Sequence, residues 1–295
     1  MKTFKNRWVL IIHGGAKEIA PEAEESNRAG LLDAVRAGSR VLEAGGTAVD
    51  ACEASVRVLE TLPVFNAGVG SDLNVAGEVE MCSAVMDGRT LEIGAVSAIT
   101  NARHPVSVAR LLLPEKPVLL TGEGAEIFAR DRGAELCGQS ELVTEKAERE
   151  LESEHDTVGA VALDAHGNIA AATSTGGLTG AMKGRVGDSP MPGCGFYADN
   201  AVGGVALSGD GEDIARLTLG ARIIGVMEHQ DPQTAVEQAI GLMPRLGCGE
   251  AGAVAIDRQG RIGWAHNSSH FAVASIADGD EGPMIWLSKQ EQGGT

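Results

Sequence analysis

Apolar residues run unbroken from Trp8 to Ile12 and stop at His13-Gly14-Gly15, the pattern of a strand covered on both faces and central in a sheet. Over 22–43, Ala29, Leu32, Val35, Val41 and Leu42 recur at helical spacing, and Gly45-Gly46 end the pattern. A second helix is predicted over 48–62, capped by Thr47, with Val49, Cys52, Val56 and Leu59 on one face and Pro63 as its stop. Strands are predicted over 79–87 and 94–99, joined by the Asp87-Gly88 turn, and helices near 106–112 and 125–132.

After Gly133 the apolar pattern lapses. Residues 141–156 carry Glu141, Glu145, Glu148, Glu150, Glu152, Glu154 and Asp156 against Lys146 and Arg149, the composition of a solvated linker. Two strand-like runs, VGAVALD and IAAATST, then flank the turn 165–168, and the design returns as GAVAID and RIGWAHN around Arg258-Gln259-Gly260. Between the hairpins lie a glycine-rich loop and helical patterns over 212–228 and 231–246, the second opened by Pro232. Runs at 271–276 and 284–287 read as edge strands. Helices grouped between strand groups predict an α+β fold in one domain, two stacked, mostly antiparallel sheets between helical layers: a four-layer α/β/β/α sandwich.

Composition adds exclusions. A formal charge of −17 argues against nucleic acid or an anionic membrane as partner, since both attract basic patches. Cys52, Cys82, Cys137, Cys194 and Cys248 are scattered, with neither a CxxC pair nor an even count, which suits reduced thiols and a cytoplasmic setting. The apolar run at 8–12 is too short for a signal-peptide core or a membrane span. No HExxH or clustered metal-ligand spacing occurs, and the glycines of TGEGAE (121–126) and NAGVGSD (66–72) do not complete a phosphate-binding loop.

The chemistry concentrates around Thr157, where the charged linker meets a strand. A Thr hydroxyl is a weak nucleophile unless a neighbouring base takes its proton, and an N-terminal Thr carries that base as its own α-amino group. This amine titrates near pH ~8 in model peptides, so cleavage between Asp156 and Thr157 would create a usable base. Downstream, Thr173 and Thr175 suit either a sheet or a site. Arg185 and Asp188 suit either a surface ion pair or a clamp for a free amino-acid head, with the Arg fork on a carboxylate and the Asp on an ammonium. His13 at a strand end reads as structural, and Asn66 suits a turn cap as well as a site.

The blocks IIHGGA (11–16), FNAGVG (65–70), VMDGRTLEIGAV (85–96), HDTVGAVALD (155–164), AAATSTGG (170–177), GRVGDSP (184–190) and SGDGE (208–212) span nearly the whole chain. In this order they resemble the plant-type L-asparaginase and isoaspartyl peptidase family of N-terminal-nucleophile hydrolases. The resemblance implies self-cleavage into residues 1–156 and 157–295, with Thr157 then attacking the side-chain amide of L-asparagine or the bond of a β-aspartyl dipeptide. It implies Thr175 beside the nucleophile, Ser208 and Gly209 as oxyanion hole, Arg185, Asp188 and Gly211 around the substrate's head, and Asn66 in support. It further implies a structural sodium ion on carbonyls of Leu59, Glu60, Leu62, Phe65, Ala67 and Val69, no cofactor for the chemistry, and a homodimer of two-chain units.

This chain departs from that pattern in places. His155-Asp156 stands where many isoaspartyl peptidases have Gly and is more like the related glycosylasparaginases, Ser208 stands where Thr is usual, and the 266–270 segment near the substrate's distal side differs. A glycosylasparaginase cleaving GlcNAc-Asn, or an unprocessed binding protein, are the alternatives.

Overall fold

The computed structural model describes residues 7–144, 156–247 and 249–293. The acidic stretch 145–155 lies outside them. Strand β1 (Val9–His13) is buried throughout and is followed by helices α1 (Glu24–Glu43) and α2 (Ala48–Thr61). As predicted, Thr47 caps α2, its hydroxyl accepting from Asp50 N–H at 3.1 Å, and the helix ends before Pro63. There follow β2 (Met81–Asp87), β3 (Glu92–Ile99), α3 (Pro105–Leu112), β4 (Leu119–Thr121), α4 (Gly122–Asp131) and α5 (Gln139–Leu142). The second half holds β5 (Val158–Leu163), β6 (Ile169–Thr175), β7 (Phe196–Asp199), β8 (Gly203–Gly209), α6 (Gly211–Leu217), α7 (Leu219–Met227), α8 (Pro232–Ile240), β9 (Ala251–Asp257), β10 (Ile262–His266), β11 (Val273–Ala277) and β12 (Met284–Trp286).

These strands form an eight-stranded sheet in the order β12-β11-β1-β5-β6-β2-β3-β4 and a four-stranded sheet in the order β10-β9-β8-β7. Every pairing is antiparallel except β3 with β4. Leu10, Ile12, Val158, Ala160 and Ala172 pack with α1, α2 and α3 on one side of the large sheet. Ile11, Val161, Ile169 and Ala171 face the other way and meet Phe196, Ala206, Val254 and Trp264 of the small sheet. Beyond that sheet, Val205, Leu207 and Ala253 pack with Ile214, Ile223 and Val236 of α6, α7 and α8. The layering is α/β/β/α, as the pattern predicted.

Four details differ from the sequence reading. The run at 271–276 is not an edge strand: β11 sits between β1 and β12. The pattern over 212–228 is two helices broken at Thr218, which takes φ 49°. Its cause is that Gly220 and Ala221 N–H donate to Cys194 and Gly193 carbonyls, not back into α6. The predicted helix over 231–246 ends at Ile240, with a short 3-10 turn (Met243–Leu246) after it. Finally, the start of the acidic stretch is anchored, because Leu142 is fully buried and its carbonyl accepts from Gly70 N–H at 2.9 Å.

Candidate active site

Strand parity aims the candidate residues into one place. On β5 and β6 the odd positions Val161, Leu163, Ile169 and Ala171 face the small sheet, so Thr173 and Thr175 share that face, and Thr157 continues it one residue before β5. On β8 the even position Ala206 faces the large sheet while Val205 and Leu207 face helices, so Ser208 points into the same gap. Thr157, Thr175 and Ser208 therefore meet at one end of the space between the sheets.

The Asp156–Thr157 peptide is held at both of its polar atoms. Thr175 Oγ1 donates to the Asp156 carbonyl at 3.0 Å. Ser208 Oγ accepts from Thr157 N–H at 3.1 Å and from Ala16 N–H at 3.0 Å. The Thr157 hydroxyl lies 3.1 Å from Ser189 Oγ. All of this is sealed: Asp156 is 3% exposed, Thr157 4% and Ser208 0%. Ser208 thus contacts the nitrogen side of this peptide, and the hydroxyl on its carbonyl oxygen is that of Thr175.

Two contributors were absent from the sequence reading. Ser189 follows Asp188 directly in GRVGDSP, and its carbonyl accepts from Thr173 Oγ1 at 2.7 Å, which ties this loop to β6. The position could have been noticed as a hydroxyl beside the expected clamp. Lys17 forms an ion pair with Asp156 Oδ2 and donates to the Val64 carbonyl at 3.3 Å. Nothing in the local pattern of Lys17 signals this, because the pairing spans 139 positions.

Of the two sequence alternatives for Arg185 and Asp188, the structure departs from the surface ion pair. Arg185 makes no surface pair with Asp188. Its Nε and Nη2 donate to the Glu212 carboxylate at 2.8 and 2.6 Å. Asp188 is buried, its Oδ2 has no hydrogen-bond partner, and its carboxyl is pushed up to about 7, chiefly by burial, with Arg185 pulling the other way. Gly211, the first residue of α6, gives Asp188 room: a Cβ there would stand 2.8 Å from Asp188 Oδ1. Gly209 ends β8, and Asp210 caps α6 by accepting from Asp213 N–H at 3.1 Å. Beside Arg185, a cavity of only about 10 Å³ is left, lined by Asp72, Asn74, Glu80, Gly176 and Gly177, room for about one water.

Asn66 serves the TGG turn after β6. Its Nδ2 donates to Asp72 Oδ2 and the Gly177 carbonyl at 2.8 and 3.0 Å, and its own carbonyl accepts from Gly176 N–H at 2.8 Å. His13 is fully buried against Phe271, and burial lowers it to about 3, with the Thr157 backbone pulling the other way. That is a neutral packing imidazole. A larger cavity of about 460 Å³, lined by Arg7, Asp164, His166, Arg258 and Asp278, lies at the opposite end of β5 from Thr157.

A family model described as asparaginase matches residues 6–156 and 146–284, nearly the full chain. The chain belongs to the asparaginase family. Among its relatives in that family, a protein of Danio rerio named isoaspartyl peptidase/L-asparaginase is 44% identical over 285 residues, covering 91% of each chain. Mouse and human proteins of the same name are 42% and 39% identical, covering 92% and 90% of this chain. Family and fold agree with the resemblance read from the motifs. Among the described residues no helix is long and apolar enough to cross a membrane, and no cluster of three or more His, Cys, Asp or Glu side chains could hold a metal ion.

Proposed function

We propose that this asparaginase-family protein is an isoaspartyl peptidase and L-asparaginase that activates itself by cleaving before Thr157. The observation that carries the reading is the sealed Asp156–Thr157 peptide, with the Thr175 hydroxyl on its carbonyl oxygen and Ser208 on its nitrogen. Thr157 Oγ1 attacks the Asp156 carbonyl carbon, the C–N bond gives way to a C–O ester, and the hydroxyl proton passes to the leaving nitrogen. Water then hydrolyses the ester, which leaves an Asp156 carboxylate and restores the Thr157 hydroxyl. The developing oxyanion falls where Thr175 already donates.

In the mature protein the freed α-amine serves as the base for Thr157. The hydroxyl attacks the side-chain carbonyl of L-asparagine or of a β-aspartyl dipeptide, releases ammonia or the dipeptide's second residue, and water clears the aspartyl ester. Arg185 keeps Nη1 for the substrate's α-carboxylate while Glu212 holds Nε and Nη2, and an ionised Asp188 receives the α-ammonium. Ser208 and Gly209 complete the oxyanion site.

A sodium ion on the loop after α2 is a further part of the proposal. Its carbonyl-only donor set, Leu59, Glu60, Leu62, Phe65, Ala67 and Val69, has the hard oxygen chemistry such a cation takes. The loop supports this by folding back on the helix end: Val69 N–H donates to the Glu60 carbonyl at 2.7 Å and Phe65 N–H to Leu62 at 3.2 Å, and each of these carbonyls keeps a second lone pair. A cytoplasmic homodimer of two-chain units acting on small molecules completes the reading.

Mass analysis of the purified protein tests it. Two chains, ending at Asp156 and starting at Thr157, are expected, with Thr157→Ala giving one full-length mass. A wild-type chain that stays intact and turns over neither substrate would refute the reading.

A further inference from the structure

We infer that Lys17 is a positioning residue for self-cleavage, acting through the side chain of Asp156, the residue on the acyl side of the scissile bond. The inference rests on the self-cleavage proposed above. Asp156 carries a carboxylate in a nearly solvent-free position, and the cation on it is Lys17, itself only 15% exposed. The second oxygen, Oδ1, has no hydrogen-bond partner among the described residues. Among the described residues Lys17 is the cation paired with it, and removing that partner leaves an uncompensated buried charge.

The pair is built to fix one geometry. Lys17 Nζ also donates to the Val64 carbonyl at 3.3 Å, so the ammonium is tied to the loop after α2 as well as to Asp156. Gly15 has φ +113°, and an added Cβ there would stand 1.2 Å from Asp156 Oδ1. The carboxylate therefore occupies space that only a glycine leaves open. One residue on, Ala16 N–H donates to the same Ser208 Oγ that accepts from Thr157 N–H. The 15–17 segment thus grips both sides of the scissile peptide: Lys17 the Asp156 side chain, Ala16 the hydroxyl on the Thr157 nitrogen. With the Asp156 side chain anchored, its carbonyl is presented to the Thr175 hydroxyl.

The test is the rate of fragment appearance on a denaturing gel, starting from uncleaved full-length chain refolded from denaturant. Relative to wild type, Lys17→Met is expected to slow cleavage at least tenfold, and Lys17→Arg to stay within about threefold. Asp156→Asn is expected to be slowed as well, and adding Lys17→Met to Asp156→Asn is expected to slow cleavage no further, because the lysine acts through that carboxylate. A purely structural role for the lysine stem predicts that Lys17→Met slows the Asp156→Asn chain as much as it slows wild type, and that result would overturn the inference. So would cleavage of Lys17→Met at the wild-type rate. Wild-type chain that fails to cleave at all would instead refute self-cleavage itself.

Discussion

The Thr175 hydroxyl donates to the Asp156 carbonyl, so Thr175→Val keeps shape and loses one donor to the oxyanion of the proposed self-cleavage. Losing such a donor typically costs 10²- to 10³-fold in rate, and a slowing of about that size is expected for self-cleavage, read from the half-time of fragment formation. Asp188 makes a pH prediction. Its folded value near 7 lies above that of an unfolded aspartate, so the native chain holds this proton more tightly, and its contribution to stability falls as pH rises from the ordinary carboxylate range to about 7. Binding of a substrate ammonium wants the ionised form, hence KM for β-aspartyl dipeptides should fall as pH rises through about 7. In Asp188→Asn that limb of the KM profile should vanish, with KM high throughout. At this scale the sequence made Thr157, Thr175, Ser208, Arg185 and Asp188 legible through their motifs. It hid Lys17 and the Glu212 fork on Arg185, because ion pairs between distant segments leave no periodic trace.

Elements were legible where periodicity was strong, as in β1, α1, α2 and both hairpins of the second half. They were missed where tertiary contacts decide. Strand β4 is three partly exposed residues that exist as a strand through parallel pairing with β3. Strand β7 sits in a Gly- and Pro-rich stretch and is specified by pairing with β8. The break at Thr218 is made by the 193–194 loop, which claims the first N–H groups of α7. One close element contact carries its own prediction. A Cβ at Gly94 of β3 would stand 2.0 Å from the Ala109 carbonyl of α3, so the helix would have to lift from the sheet. Overpacking of this kind costs about 1–3 kcal/mol, and Gly94→Ala should lower the thermal midpoint while leaving the kinetics of surviving folded protein unchanged.

Across the whole molecule, the two pieces that self-cleavage would create are interleaved and not merely adjacent. Strand β1 lies between β5 and β11, and β2 pairs with β6, so strands from before residue 156 alternate with strands from after it within one sheet. The fragments should co-elute on size exclusion in native buffer, unfold in a single calorimetric transition, and separate only in denaturant. Recovery of either fragment alone without denaturant would contradict this. The same strand order dictates a calendar for activation. Thr175, Ser189 and Ser208, which surround the junction, and β11, which flanks β1, are all translated after Thr157. A nascent chain that has only just passed residue 157 lacks those hydroxyls, so self-cleavage as proposed would wait until the strands and loop that carry them have left the ribosome.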